Sequence, residues 1–135
     1  MRELPMIAII DDNPCEIELL IEALEEAEFM GNILQFSSGE SFLTHQTTTS
    51  RYPALTLLDL HMPGDTGPAI LERLRNEGMY FPVVIFTSSW SQTGIMECYK
   101  RGANAVVLKP VHFDELVNLC KELCSFWLER VEVFE

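Results

Sequence analysis

Five short apolar runs punctuate the chain, and between them apolar positions recur at helical spacing. Met6–Ile10, Ile33–Phe36, Leu55–Leu58, Val83–Phe86 and Ala105–Leu108 are rich in Val, Ile and Leu. Runs of this kind, with little polar alternation, are expected of parallel strands covered on both faces. The stretches between them follow a different period. After the first run, Ile17, Leu20, Ile21, Leu24 and Ala27 fall on one face of a helix expected to reach about Phe29, with Glu18, Glu22, Glu25 and Glu26 on its solvated face. Asn13 is placed to cap that helix, and Pro14 suits its first position, where no backbone N–H is needed. Ser38-Gly39-Glu40 opens a short helix through about Gln46, and a third helix spans about Pro68–Glu77. A fourth runs from about Ser91 to a stop at Gly102, and a fifth from about Phe113 to Arg130. Thr47–Ser50 is a loop too brief to join two domains. Five strands alternating with five helices predict an α/β fold, a doubly wound five-stranded parallel sheet with right-handed crossovers.

The residues that end these strands turn architecture into chemistry. Asp11 and Asp12 follow the first strand, Asp59 ends the third before a Pro63-Gly64 turn, Thr87 follows the fourth and Lys109 the fifth. In a parallel sheet all these ends lie on one edge, the edge where open α/β sheets bind ligands. Two carboxylates ~5 Å apart repel by roughly 3 kcal/mol at an effective dielectric near 20, so three in one pocket need more positive charge than Lys109 supplies. A hard divalent ion fits the remainder, and Mg²⁺ suits a site of few carboxylates, retained waters and a phosphate oxygen. A carboxylate flanked by a metal and an ammonium can attack phosphorus, because both cations neutralise charge on the transferring oxygens. Thr87 can donate its hydroxyl to a phosphoryl oxygen, and the small Ser88 and Ser89 leave room for it.

Composition narrows the function. At 135 residues with 47% hydrophobic content, the chain is expected to form one domain. Nine Lys and Arg against 21 Asp and Glu give a formal charge of −12, which repels nucleic acid and anionic membrane surfaces. No segment approaches the ~20 apolar residues of a membrane span. Met1–Pro5 and the short run after it do not resemble a signal peptide. Cys15, Cys98, Cys120 and Cys124 lack CxxC or zinc-type spacing, so reduced thiols and a cytoplasmic location are expected.

On the final helix Leu116, Val117, Leu119, Cys120, Leu123, Cys124, Trp127 and Leu128 spread over close to half the circumference. Phe126 and Val131 extend the set, and Val133 and Phe134 continue it. That is wider than the stripe of ~100° needed to pack one side on a sheet. Either a broad core contact or a homodimer through the fourth helix, fifth strand and fifth helix accounts for it. Arg73 and Arg75 read as solvated charges, Asp65 as a loop acid, and His45 and His112 as ordinary polar positions.

The Asp11-Asp12 pair, Asp59 followed by Met62-Pro63 and Gly67, Thr87 after an apolar strand, and Lys109-Pro110 together resemble a two-component response-regulator receiver domain, the CheY-like kind, over essentially the whole chain. The resemblance implies a flavodoxin-like strand order 2-1-3-4-5. It implies that Asp59 accepts a phosphoryl group from a sensor histidine kinase. It further implies that Asp12 and Asp59, with the backbone carbonyl of His61, bind Mg²⁺, with Asp11 acting mainly through a coordinated water. Thr87 and Lys109 would then bind the phosphoryl oxygens, and the bond before Pro110 would be cis. A narrower likeness is to the small response regulators that partner cyanobacterial and other bacterial phytochromes. It is carried by Asp11-Asp12-Asn13-Pro14, Glu22-Ala23-Leu24 and Ser125-Phe126-Trp127-Leu128.

The same resemblance implies a single receiver over residues 1–135 without an output domain, residues from about 126 to 135 extending the last helix. Such a domain is not a turnover enzyme, although its acyl phosphate hydrolyses slowly. His61 and Ser89, two positions after Asp59 and Thr87, are candidates for tuning phosphoryl lifetime. Val106 stands three before Lys109, where receivers often carry Tyr or Phe, which leaves open how movement of Thr87 reaches the surface. Two other classes share part of the pattern. Aspartyl-nucleophile phosphatases and phosphotransferases usually place a second acid two residues after the nucleophile, where this chain has His61. Pseudo-receivers, which work only as interaction modules, tend to lose an acid or the Lys, and none is missing here.

Overall fold

The computed structural model describes residues 4–64, 66–88 and 91–130, so the expectations for Asp65, Ser89, Val131, Val133 and Phe134 lie outside the described residues. The elements are β1 (Met6–Ile10), α1 (Pro14–Glu26), β2 (Asn32–Phe36), α2 (Gly39–Thr47), β3 (Leu55–Asp59), α3 (Gly67–Asn76), β4 (Val83–Thr87), α4 (Gln92–Lys100), β5 (Ala105–Leu108) and α5 (Phe113–Leu123). The strands are parallel in the order β2-β1-β3-β4-β5, the predicted architecture.

The inner strands β1, β3 and β4 are buried along their whole length, whereas the edge strands β2 and β5 are partly exposed. Alternate residues feed two cores. Ala8, Ile10, Leu58, Val83 and Ile85 pack with Phe42, Leu71, Leu74 and Cys98 of α2, α3 and α4. Ile7, Ile9, Leu57, Val84 and Phe86 pack with Leu20, Leu24, Cys120 and Leu123 of α1 and α5. Four helices start on a side chain that accepts a backbone N–H left over at the helix end. Asn13 accepts from Cys15 at 3.0 Å, Ser38 from Ser41 at 3.1 Å, and Thr66 and Ser91 from Ala69 and Gly94 at 3.4 Å. Among the described residues no helix is long and apolar enough to cross a membrane. All four cysteines are free, and burial pushes the Cys98 thiol up to about 11 and Cys120 up to about 12, so these two are unreactive near neutral pH.

Two helix ends differ from expectation. α1 stops at Glu26, not Phe29, because Glu28 takes a left-handed conformation (φ 63°) while the Phe29 N–H closes on Leu24 O at 3.0 Å. The last helix changes after Leu123 into a π-helical segment, Cys124–Arg130. In its wider turns Trp127 and Leu128 both pack on the α1/α5 core, while Phe126 stays 55% exposed, edge-on to Trp127 with ring centroids 5.1 Å apart. The broad apolar face of this helix is therefore mostly core contact. Met96 and Tyr99 on α4 and Leu108 on β5 are among the exposed apolar side chains.

Arg73 is the surface charge expected of it, paired with exposed Glu40 at 2.7 Å. Arg75 is not. Its guanidinium donates to the carbonyls of Gly102 (2.7 and 3.2 Å), Met79 (2.8 Å) and Phe81 (2.9 Å), and to Asn104 Oδ1 (3.0 Å). Gly102 suits this clamp twice over. Its φ of +108° disfavours a side chain, and an added Cβ would stand 2.9 Å from Arg75 Cγ.

Gln46 on α2 is 3% exposed, and neither amide atom finds a hydrogen-bond partner among the described residues. A buried unpaired amide costs more than an apolar group of the same shape. Gln46→Met should therefore raise the free energy of unfolding by about 1–2 kcal/mol in urea denaturation. A lowered midpoint at constant slope would show the amide to be hydrogen-bonded in solution.

Candidate functional site

The carboxyl edge of the sheet is assembled from strand ends. Asp11 stands just beyond β1 and is buried; its N–H donates to Phe36 O at 3.0 Å and its Oδ1 accepts the Asn13 N–H at 3.0 Å. Asp12 beside it is exposed. Asp59 closes β3 at 9% exposure, and the ladder continues one residue further through the Leu60 N–H on Phe86 O at 3.0 Å. That extra bond fixes the backbone on both sides of Asp59. Gly67 then brings α3 against the same backbone. Its N–H donates to Leu60 O at 3.1 Å, and a Cβ there would lie 3.3 Å from Leu60 Cα.

Thr87, fully buried, ends β4, and its carbonyl accepts the Lys109 N–H at 2.7 Å. From beyond β5 the Lys109 side chain reaches back toward the sheet centre, placing Nζ 3.2 Å from Asp59 Oδ1 and 3.3 Å from Asp11 Oδ2. The Lys109–Pro110 bond is trans, not the cis bond that the resemblance implied. Trans is the ordinary preference of an X–Pro bond, and Lys109 meets both carboxylates from it.

Oxygens of Asp11, Asp12 and Asp59 all lie within 4.8 Å of one another. Burial is the largest influence on Asp59 and raises its carboxyl above the ordinary range; Lys109 opposes the shift, and Asp11 and Asp12 add to it. Burial works the other way on Lys109, but its attraction to Asp59 and Asp11 and its hydrogen bond outweigh that, and the amine is raised. Glu16, 3.9 Å from Lys109 Nζ, is a further neighbour that sequence reasoning passed over. His61 is an exposed residue of the loop after β3, and exposed Ser88 lines the same cavity as Asp59 and Lys109. Val106 packs on the core, and its N–H donates to the Tyr99 hydroxyl at 3.1 Å, so the aromatic ring beside β5 comes from α4.

Three clustered carboxylates facing one ammonium form an oxygen-rich, net-negative donor set that fits a hard divalent cation. The same arrangement gives Asp59 a cationic neighbour on one side and an open cavity on another.

Comparison with known proteins agrees with this geometry. Residues 7–121 match the family model described as the response regulator receiver domain. The chain is 29% identical to the probable methanogenesis regulatory protein FilR2 of Methanothrix harundinacea, covering 91% of this chain and 83% of that protein. It superposes on the response regulator RPA3017 in red light signaling of R. palustris with a TM-score of 0.89 at 27% identity, covering 98% of this chain and 99% of the other. The phosphorylated cyanobacterial phytochrome response regulator RcpA gives a TM-score of 0.86 at 23% identity, with coverage of 98% and 99%, and bears on the fold. The chain spans about half the length, 53%, of the nitrate/nitrite response regulator protein NarL of Escherichia coli.

Proposed function

The chain belongs to the response regulator receiver family, and from that premise we propose that Asp59 accepts a phosphoryl group from the phosphohistidine of a sensor histidine kinase. The observation that carries this is Lys109 Nζ lying 3.2 Å from Asp59 Oδ1 and 3.3 Å from Asp11 Oδ2 at the edge of a three-carboxylate cluster. A carboxylate oxygen of Asp59 attacks phosphorus, the P–N bond to the imidazole breaks, and the nitrogen keeps the bonding pair. Lys109 pairs with one oxygen of the transferred group. Thr87, at the end of the neighbouring strand, donates its hydroxyl to another. Mg²⁺ held by Asp12, Asp59 and the His61 carbonyl, with Asp11 acting through a coordinated water, would supply the remaining positive charge. The resulting acyl phosphate is lost by slow hydrolysis.

In this reading the domain works in the cytoplasm and signals through a changed protein surface. A kinase of the phytochrome type is supported by the likeness to RPA3017, a response regulator in red light signaling. Acetyl phosphate with Mg²⁺ should label the wild type and leave Asp59→Asn unlabelled by intact-mass analysis, and chelation with EDTA should stop the reaction. Equal labelling of both proteins would remove Asp59 from its role.

The half-exposed Met96, Tyr99 and Leu108 support a homodimer through α4, β5 and α5. Sedimentation equilibrium should then show a dimer for the phosphorylated wild type and a monomer for phosphorylated Leu108→Lys. A wild type that stays monomeric in both states would exclude the pairing.

A further inference from the structure

Beside the carboxylates lies a cavity of about 350 Å³, more room than a phosphoryl group alone fills. Asp11, Asp59 and Lys109 form its polar end. Glu16, Ser88 and His112 add polar groups to its lining, and the apolar remainder includes Leu19 and Leu20 of α1, Phe86 of β4, and Phe113 and Leu116 of α5. Leu19 is 45% exposed and Phe113 40%, so a diffusing molecule can reach both. The volume falls within the roughly 300–1,000 Å³ of small-molecule sites, which are likewise mostly apolar with a few polar groups at one end.

We propose that this cavity takes the leaving group of small acyl phosphates and selects donors with an aromatic acyl group over acetyl phosphate. The inference rests on Asp59 being the phosphoacceptor. Its physical basis is the contrast between the two ends of the cavity. A three-carboxylate cluster with one ammonium offers an anionic donor little net attraction, so discrimination between donors falls to the apolar wall. In the reaction an Asp59 oxygen attacks phosphorus, the P–O bond to the acyl group breaks, and the acyl carboxylate leaves with the bonding pair. No proton, oxidant or second reactant is required.

The test compares second-order labelling rates for benzoyl phosphate and acetyl phosphate, both with Mg²⁺, by intact-mass analysis. The proteins are wild type, Leu19→Trp, which fills the cavity, and Phe113→Ala, which removes part of its wall. Burying a phenyl ring instead of a methyl group should make the wild-type ratio about tenfold, and each variant should bring it below about twofold. A wild-type ratio near one, or a ratio that survives in both variants, overturns the inference while leaving Asp59 in place. So does a pair of variants that slow transfer only from a phosphorylated histidine kinase, which assigns the wall to a protein partner. If acetyl phosphate labels nothing, the phosphoacceptor reading falls and this inference with it.

Discussion

Replacing Arg75 with Ala is expected to lower the free energy of unfolding by about 3 kcal/mol, a large share of the roughly 5–15 kcal/mol that holds a domain together. The guanidinium ties the end of α3 to two loops, through carbonyls of Met79 and Phe81 on one side and Gly102 on the other. It also orients Asn104, whose Oδ1 accepts the Val83 N–H at 2.8 Å and so helps to start β4. Burial pulls Arg75 below its usual range, which marks the surroundings as poorly solvated. Truncation would leave several carbonyls there without a donor, and hydrogen bonds to a charged group contribute about 1.5–3 kcal/mol each before non-additivity reduces the total. Arg75→Lys should recover less than half of the loss, because a point ammonium cannot replace a planar fork with five donors. Urea unfolding measures both variants, and a loss under about 1 kcal/mol for Arg75→Ala would refute the clamp. The clamp stands away from Asp59, so Arg75→Ala should still be labelled by acetyl phosphate at temperatures where it is folded.

Arg75 also marks where reading the sequence ran out. On α3 it follows Glu72 and Arg73 at the flank of the apolar stripe, a common place for a solvated charge, while its acceptors are carbonyls that no side-chain pattern announces. The strands were legible for the opposite reason. β1, β3 and β4 are covered on both faces, so their sequences are apolar almost throughout, with Thr56 the one interruption before the terminal Asp59 and Thr87. The meeting of Asp11, Asp59 and Lys109 was legible without any knowledge of side-chain direction, because parallel strands deliver their ends to one edge. The stop of α1 was hidden because Glu28 occupies the left-handed position that Gly usually signals. The π-helical turn after Leu123 and the hydrogen bond from Val106 to Tyr99 depend on local backbone geometry that composition does not encode. Nor does any residue pattern reveal a cavity, which is what packing leaves over.

With divalent ions removed by EDTA, Asp59→Asn is expected to be more stable than the wild type by about 1–2 kcal/mol. Each pair of carboxylates within 4.8 Å repels by about 3 kcal/mol at an effective dielectric near 20, and each Lys109 contact near 3.2 Å recovers about 5. Removing the Asp59 charge relieves two repulsions for the loss of one attraction, and it also removes a buried anion. The direction of its titration agrees. The Asp59 carboxyl is raised above its ordinary 3.8, by burial first, so the folded state holds this proton more tightly than the unfolded chain does. Its contribution to stability therefore falls as pH rises from 3.8 through the raised value, leaving the ionised group a net cost at neutral pH. A cation that binds only the folded state reverses this. At a Mg²⁺ concentration of about 100 times its dissociation constant, the wild type gains about 2.7 kcal/mol, while Asp59→Asn, short of one ligand, gains less. The order of the two urea midpoints should invert between EDTA and Mg²⁺. If Asp59→Asn is the less stable protein in EDTA, Asp59 is held there by its contacts with Lys109 more strongly than its neighbours repel it, and the cluster would need no cation to be stable.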